Sequence, residues 1–157
     1  MINSKEIEKN YIEIGYNKCN MNIVKCFVLS ILAGMFIAFG GLGASIASCT
    51  IQNPSLAKLI QSIVFPAGLA MVVEIGAELF TGDCLITISV LEKRTGVLKF
   101  IKTLIVVYVG NLVGSLILSV LAVYGHTLSL FDGALAQNLV DVALKKCEIS
   151  FGDAVIR

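Results

Sequence analysis

The chain opens polar and turns apolar. Residues 1–22 carry apolar side chains at Ile2, Ile7, Tyr11, Ile12 and Ile14. That spacing predicts a short amphipathic helix, either lying at a membrane surface or standing solvated as an N-terminal helix. From Cys26 to Ile51 not one charge occurs. As a helix this run is about 39 Å long at about 1.5 Å per residue, enough to cross a hydrocarbon core of about 30 Å with tilt. Gly34, Gly40, Gly41, Gly43, Ala44 and Ala47 lie within it, and small residues let membrane helices approach closely. Asn53-Pro54-Ser55 then reads as a turn.

Leu59 to Leu91 is the most informative stretch. It is largely apolar, yet it carries Glu74, Glu78 and Asp83. As one straight helix it would be about 50 Å long, far beyond the bilayer core. An acid near the centre of such a helix costs about 2.5–3.5 kcal/mol on insertion scales. A segment too long for one pass, with its polar cluster in the middle, predicts a broken helix. The expected parts are a helix from Leu59 to about Val73, irregular backbone through Asp83, and a half-helix from Cys84 to Leu91. Irregular backbone at membrane depth persists where it is buried in protein or lines a wet cavity, and broken helices mark substrate paths. Pro66 removes a helix hydrogen bond and predicts a kink.

Glu92-Lys93-Arg94-Thr95-Gly96 is a charged turn. Thr103 to Phe131 is again free of charged residues and predicts a third span ending near Gly125. Thr127 to Cys147 reads as a longer connection, and the residues from about Ile149 as the approach to a fourth span. Lys5, Lys9, Lys18, Lys25, Lys93, Arg94, Lys99 and Lys102 fall on one side of a three-span arrangement; Lys58, Lys145 and Lys146 fall on the other. The excess predicts a cytoplasmic N-terminus and 92–102 loop, with the 127–148 connection external. The organisation is thus a cytoplasmic segment, 1–22, and a transmembrane domain, 23–157.

Composition agrees with an all-α membrane protein. The hydrophobic fraction is 57% and the charged fraction 15%, against about 45–50% and about 25% for soluble domains. A net charge of +1 offers no basic stripe for nucleic acid. Cys19, Cys26, Cys49, Cys84 and Cys147 form no C-x-x-C pair and stand beside a single His. They read as free thiols, with neither a zinc site nor a disulfide framework, and no cofactor is implied. No nucleophile–base pair or phosphate loop is visible, so catalysis has no support. The polar N-terminus is not a signal peptide.

Candidate chemistry gathers at the break. Thr81 and Gly82 sit there; the Thr81 hydroxyl and nearby freed backbone N–H groups can donate hydrogen bonds to an anion, and a half-helix N-terminus just beyond, at Cys84, would add its dipole. The competing reading is a Thr bonded back to its own turn. Glu78 and Asp83 would repel an anion if they faced it. They are expected to be structural, bonding the N–H groups of the break or, for Asp83, capping the second half-helix. Glu74 is expected on the face of Glu78, either neutral at depth or paired outside this chain. Lys145 and Lys146 either reach towards the break and concentrate anions or form a solvated pair. Phe65, Leu69 and Leu79 either narrow a pore or serve as ordinary packing residues. His126 reads as an interface residue.

These residues resemble the formate/nitrite transporters, a family that includes hydrosulfide channels. The resemblance runs from about Lys18 onward. Its most specific element is Gly76-Ala77-Glu78-Leu79-Phe80-Thr81-Gly82. Ala57-Lys58-Leu59, Tyr108-Val109-Gly110-Asn111-Leu112-Val113-Gly114 and the stretch from Lys146 to Val155 support it. The resemblance implies an aquaporin-like helical bundle of six spans built from two inverted repeats, assembled as a homopentamer with one pore per protomer. It implies that Thr81, with Phe80 and Gly82 beside it, lies at the central constriction. Leu79, Leu69 and Phe65 match constriction positions. Lys146, or Lys145 with a one-residue shift, matches the external lysine. Glu74 departs from the pattern, the family usually having an apolar residue there. His126 does not match the family's pore histidine, and the second broken helix that would carry it is not present. The chain is therefore expected to be the first of two repeats, a part of a longer protein.

The expected function is a multi-pass channel or transporter in the cell membrane for small monovalent anions, formate first, with nitrite and hydrosulfide alongside. The alternative is a small non-conducting anchor or scaffold subunit. The tight small-residue faces suit a scaffold, whereas acids at depth do not.

Overall fold

The structure, a computed structural model, describes residues 3–156. Ile2 and Arg157, at the two ends of the expected segments, lie outside the described residues. Three helical stretches are long and apolar enough to cross a membrane: Ile23–Ser48, Pro54–Ile75 and Val97–Tyr124.

Helix α1 (Ser4–Cys19) forms in the polar N-terminal segment. It leans on the chain beyond the break, which neither expected placement had included. A Cβ on Gly15 would lie 2.8 Å from the Ser89 Cβ. Arg94 stacks on the Tyr16 ring at 4.4 Å and pairs with Glu13 at 3.4 Å. Ile7, Tyr11 and Ile14 remain exposed.

Helix α2 (Ile23–Ser48) begins at the Asn22 cap, whose side-chain oxygen accepts from the N–H groups of Val24 and Lys25. The second span starts earlier than its hydropathy alone predicts. Asn53 caps α3 (Pro54–Val64) by accepting from Ser55 and Leu56, and Pro54 takes the first helical position, where its missing N–H leaves nothing unmade. The expected turn is therefore a helix start. Pro66 divides the span as predicted, and α4 (Pro66–Ile75) follows at Phe65.

The break is shorter than expected. Gly76 adopts φ 66°, which favours glycine, and ends α4. The Ala77 N–H reaches back to the Val72 carbonyl at 2.9 Å and the Gly76 N–H to that of Val73 at 3.1 Å, a Schellman closure. Leu79 is extended, and helix resumes at once. α5 (Phe80–Asp83), a 3₁₀ turn (Cys84–Ile86) and α6 (Thr87–Leu91) run on as one apolar stretch. Thr81, Gly82 and Asp83 therefore lie in the first turn of the second half-helix, where irregular backbone had been expected.

Helix α7 (Val97–Tyr124) packs along α2. Here glycine is required by contact: a Cβ on Gly34 would overlap the Asn111 backbone, and one on Gly114 the Ile31 backbone. Gly40 and Gly68 make the same close approach between α2 and α4. Ala33, Val72 and Ala77 form a buried cluster, bordered by Phe36, Ile37 and Leu79, so the break starts on packed core. The stretch expected to be a connection is largely helical. Thr127–Gly133 turns with His126, Phe131 and Asp132 at positive φ, and α8 (Ala134–Cys147) buries Leu135 completely. A short exposed helix, α9 (Phe151–Ile156), follows.

Candidate functional site

The break joins residues from four parts of the chain. Asn111, the one amide in the third span, faces it from α7. Its Nδ2 donates to the Ser30 carbonyl at 2.8 Å and the Glu78 carbonyl at 3.0 Å, while its Oδ1 accepts from the Phe80 N–H at 2.9 Å. Phe80 also meets the Tyr108 ring edge-on, centroids 5.5 Å apart. The interrupted helix thus regains backbone partners from a side chain, which is what irregular backbone in a membrane requires.

Both acids of the break turn to one cation. Lys18, from α1, donates to Glu78 at 2.5 Å and to Asp83 at 2.6 Å. The carboxylates are buried, with Glu78 4% and Asp83 0% exposed. This corrects two expectations. Glu78 does not bond the N–H groups of the break, and Asp83 makes no cap bond. An ammonium within reach satisfies a buried carboxylate better than a neutral N–H, because such charges persist in protein only when paired. Burial alone pulls the Lys18 pKa down, but the hydrogen bonds and charges of Asp83 and Glu78 outweigh it and hold the ammonium above the usual lysine range. Asp83 Oδ2 keeps no hydrogen-bond partner among the described residues.

Thr81 is exposed, and its hydroxyl makes no hydrogen bond among the described residues, so the Thr-to-own-turn bond is not made. The N–H groups of Thr81 and Gly82, in the first turn of the restarted helix, also take no partner among the described residues. Both residues line a cavity of about 430 Å³ with Lys18, Leu69, Val73, Gly76, Glu78 and Leu79. A second cavity of about 330 Å³ is lined by Gly34, Ile37, Phe80, Tyr108, Asn111 and again Leu79. Leu79 borders both.

Other expected residues lie elsewhere. Phe65 is exposed at the kink and lines neither cavity. Lys145 and Lys146 stand exposed in the last turn of α8 and line neither. Glu74 is exposed near the end of α4, with no ion-pair partner among the described residues; the break separates it from Glu78, so the two share no helix face. The five cysteines are unpaired. Sequence reading had used Lys18 only for orientation and had given Asn111 no role. A lone amide inside an apolar span was the available signal for Asn111. Lys18 offered none, because its partners are 60 and 65 residues away.

Comparison with known proteins bears on the whole chain. A family model described as formate/nitrite transporter matches residues 5–157. A probable formate transporter of Methanothermobacter thermautotrophicus is 42% identical over 96 residues, covering 58% of this chain and 35% of that protein. An uncharacterized transporter of Bacillus subtilis, YrhG, is 32% identical over 155 residues, covering 96% of this chain and 58% of its own length. The formate channel FocA of Escherichia coli K12 is 32% identical over 146 residues, covering 91% and 51%. The chain spans little more than half the length of these curated relatives at most. With a family match over nearly every residue and three apolar spans around a broken helix, this multi-pass membrane chain belongs to the formate/nitrite transporter family.

Proposed function

We propose that this chain forms one wall of a conduction path for small monovalent anions, formate first, with nitrite and hydrosulfide as close alternatives. The observation that carries this reading is Thr81: a free hydroxyl beside two free N–H groups, all at the edge of an open cavity. Donors without acceptors, at the depth where a membrane helix is interrupted, suit an anion. Lys18 lies at the same cavity and pairs with both Glu78 and Asp83, offsetting one of their two charges.

Leu79 supports a constriction, since it lines both cavities. Leu69 lines the first cavity with it. A bare anion loses hydration at such an apolar neck; an anion of a weak acid lowers that penalty by accepting a strong hydrogen bond or sharing a proton there. Phe65, and Lys146 with Lys145 as its neighbour, are carried in this reading by the family resemblance alone.

The reading includes residues 23–157 as the first of two inverted repeats, a homopentameric assembly, and a cell-membrane location with the N-terminus cytoplasmic. The Lys and Arg distribution supports that orientation. A non-conducting scaffold is the second reading; α2 and α7 pack closely enough for it. Flux in proteoliposomes of the protein carrying both proposed repeats separates the two. The conduction reading expects formate efflux well above protein-free vesicles and little efflux of gluconate. Formate efflux equal to that of protein-free vesicles contradicts it.

A further inference from the structure

We propose that Asn111 is a positioning residue for the anion path, holding Thr81 in register and so setting which anions pass. The proposal rests on the Thr81 reading above. It starts from an accounting of the amide. Each polar atom of Asn111 is used, and every partner is backbone: the carbonyls of Ser30 and Glu78, and the N–H of Phe80. One side chain thereby ties α2, α7 and the break together.

The two ends of this tie differ in stiffness. At the α2 end, Gly34 leaves so little room that a Cβ there would overlap the Asn111 backbone, and Gly110 gives the same close fit against Ser30. The amide is therefore mounted where two helices cannot shift apart or together freely. At the other end, Glu78 and Phe80 flank the extended Leu79, where the chain passes from the end of α4 into α5. Asn111 transfers the stiffness of the first to the second.

The bond also selects. Phe80, Thr81 and Gly82 supply the first three N–H groups of the restarted helix, and helix starts leave such groups unmatched. Asn111 occupies that of Phe80 and leaves those of Thr81 and Gly82 open, next to the Thr81 hydroxyl. The donors left over form one compact group on the cavity side, fitted to a small anion. Releasing Phe80 would add a donor and loosen the group.

Two variants test this, alongside Thr81→Val. Asn111→Asp keeps shape and the acceptor for Phe80 but sets an acceptor oxygen against two carbonyls. Asn111→Leu removes every bond. Amide hydrogen exchange over residues 76–83 and the formate-to-acetate flux ratio in proteoliposomes are the readouts, with oligomer size by light scattering as the control for folding. Asn111→Leu is expected to speed exchange in the break by roughly tenfold or more. Asn111→Asp is expected to lower the flux ratio severalfold at unchanged oligomer size. Combined with Thr81→Val, either variant is expected to give the ratio of Thr81→Val alone, because both act through one group. Wild-type exchange in Asn111→Leu, or losses that multiply in the double variant, would overturn the proposal. The exchange arm needs no transport, so failures are separable: faster exchange in Asn111→Leu with a normal ratio in Thr81→Val overturns the Thr81 reading and leaves Asn111 as the tie that holds the break.

Discussion

The α2–α7 seam and the break beside it are held in opposite ways. Along the seam, backbone meets backbone at Gly34 and Gly114, and Val107 is fully buried. At the break, backbone is left without its helical partners; Asn111 bonds that backbone, and Lys18 pairs with the buried acids Glu78 and Asp83. One region is fixed by the absence of side chains, the other by particular ones. The seam is therefore intolerant of any addition, whereas the break responds to specific exchanges.

The largest effect is expected at the seam. Gly114→Leu drives a side chain into the Ile31 backbone, and overpacking of this kind costs about 1–3 kcal/mol or more. It should abolish a monodisperse particle in detergent by size-exclusion chromatography. Recovery of normal particles with a normal melting temperature would erase the contrast between the regions.

Lys18→Met strikes the break next. It leaves Glu78 and Asp83 buried without their cation, a loss of about 3–5 kcal/mol for a buried pair. Because the seam does not depend on Lys18, the bundle should survive while α1 releases, read as faster proteolysis near residues 4–19 together with reduced flux. Alkaline pH should act in the same direction. The folded state holds the Lys18 proton more tightly than the unfolded chain, so its stabilisation is complete below the usual lysine pKa of 10.5 and is lost as pH rises through the raised value. Proteolysis at α1 should therefore stay unchanged on approach to that pH and accelerate beyond it. Equal rates in wild type and Lys18→Met would remove the lysine from the account.

The smallest effect belongs to the exposed lysines of α8. If Lys146 concentrates anions, Lys146→Glu lowers formate flux severalfold at low ionic strength and less at high, since the Debye length falls from about 30 Å at 0.01 M to about 8 Å at 0.15 M. Lys145→Glu serves as comparison. Salt-independent flux in both variants would make the pair an ordinary solvated end of a helix.

Much of this was legible in the sequence, for physical reasons that also mark its limits. Two uncharged runs and an overlong segment with acids in its middle announced three spans and a broken helix, because hydrocarbon penalises charge wherever it occurs. The length of the break was misjudged. Gly76 closes α4 in one residue, and the burial of Ala77 against Ala33 lets helix resume at Phe80, neither of which periodicity reveals. Glu78 and Asp83 were expected to bond nearby N–H groups and instead both meet Lys18; spacing along the chain holds no information about that contact. Residues 134–147 read as a connection because Asp141, Lys145 and Lys146 masked the helix that buries Leu135.

The central claim is that the Thr81 hydroxyl donates to the passing anion. It is tested most directly by formate flux and formate-to-acetate selectivity of Thr81→Val and Thr81→Ser, reconstituted at equal protein content. Valine keeps the shape and removes the donor; serine keeps the donor. A lost hydrogen bond of this kind is worth about 1–3 kcal/mol, or roughly one to two orders of magnitude in rate. The account predicts that Thr81→Val loses formate flux or selectivity on that scale and that Thr81→Ser retains most of both. Wild-type flux and selectivity in a correctly assembled Thr81→Val would contradict it.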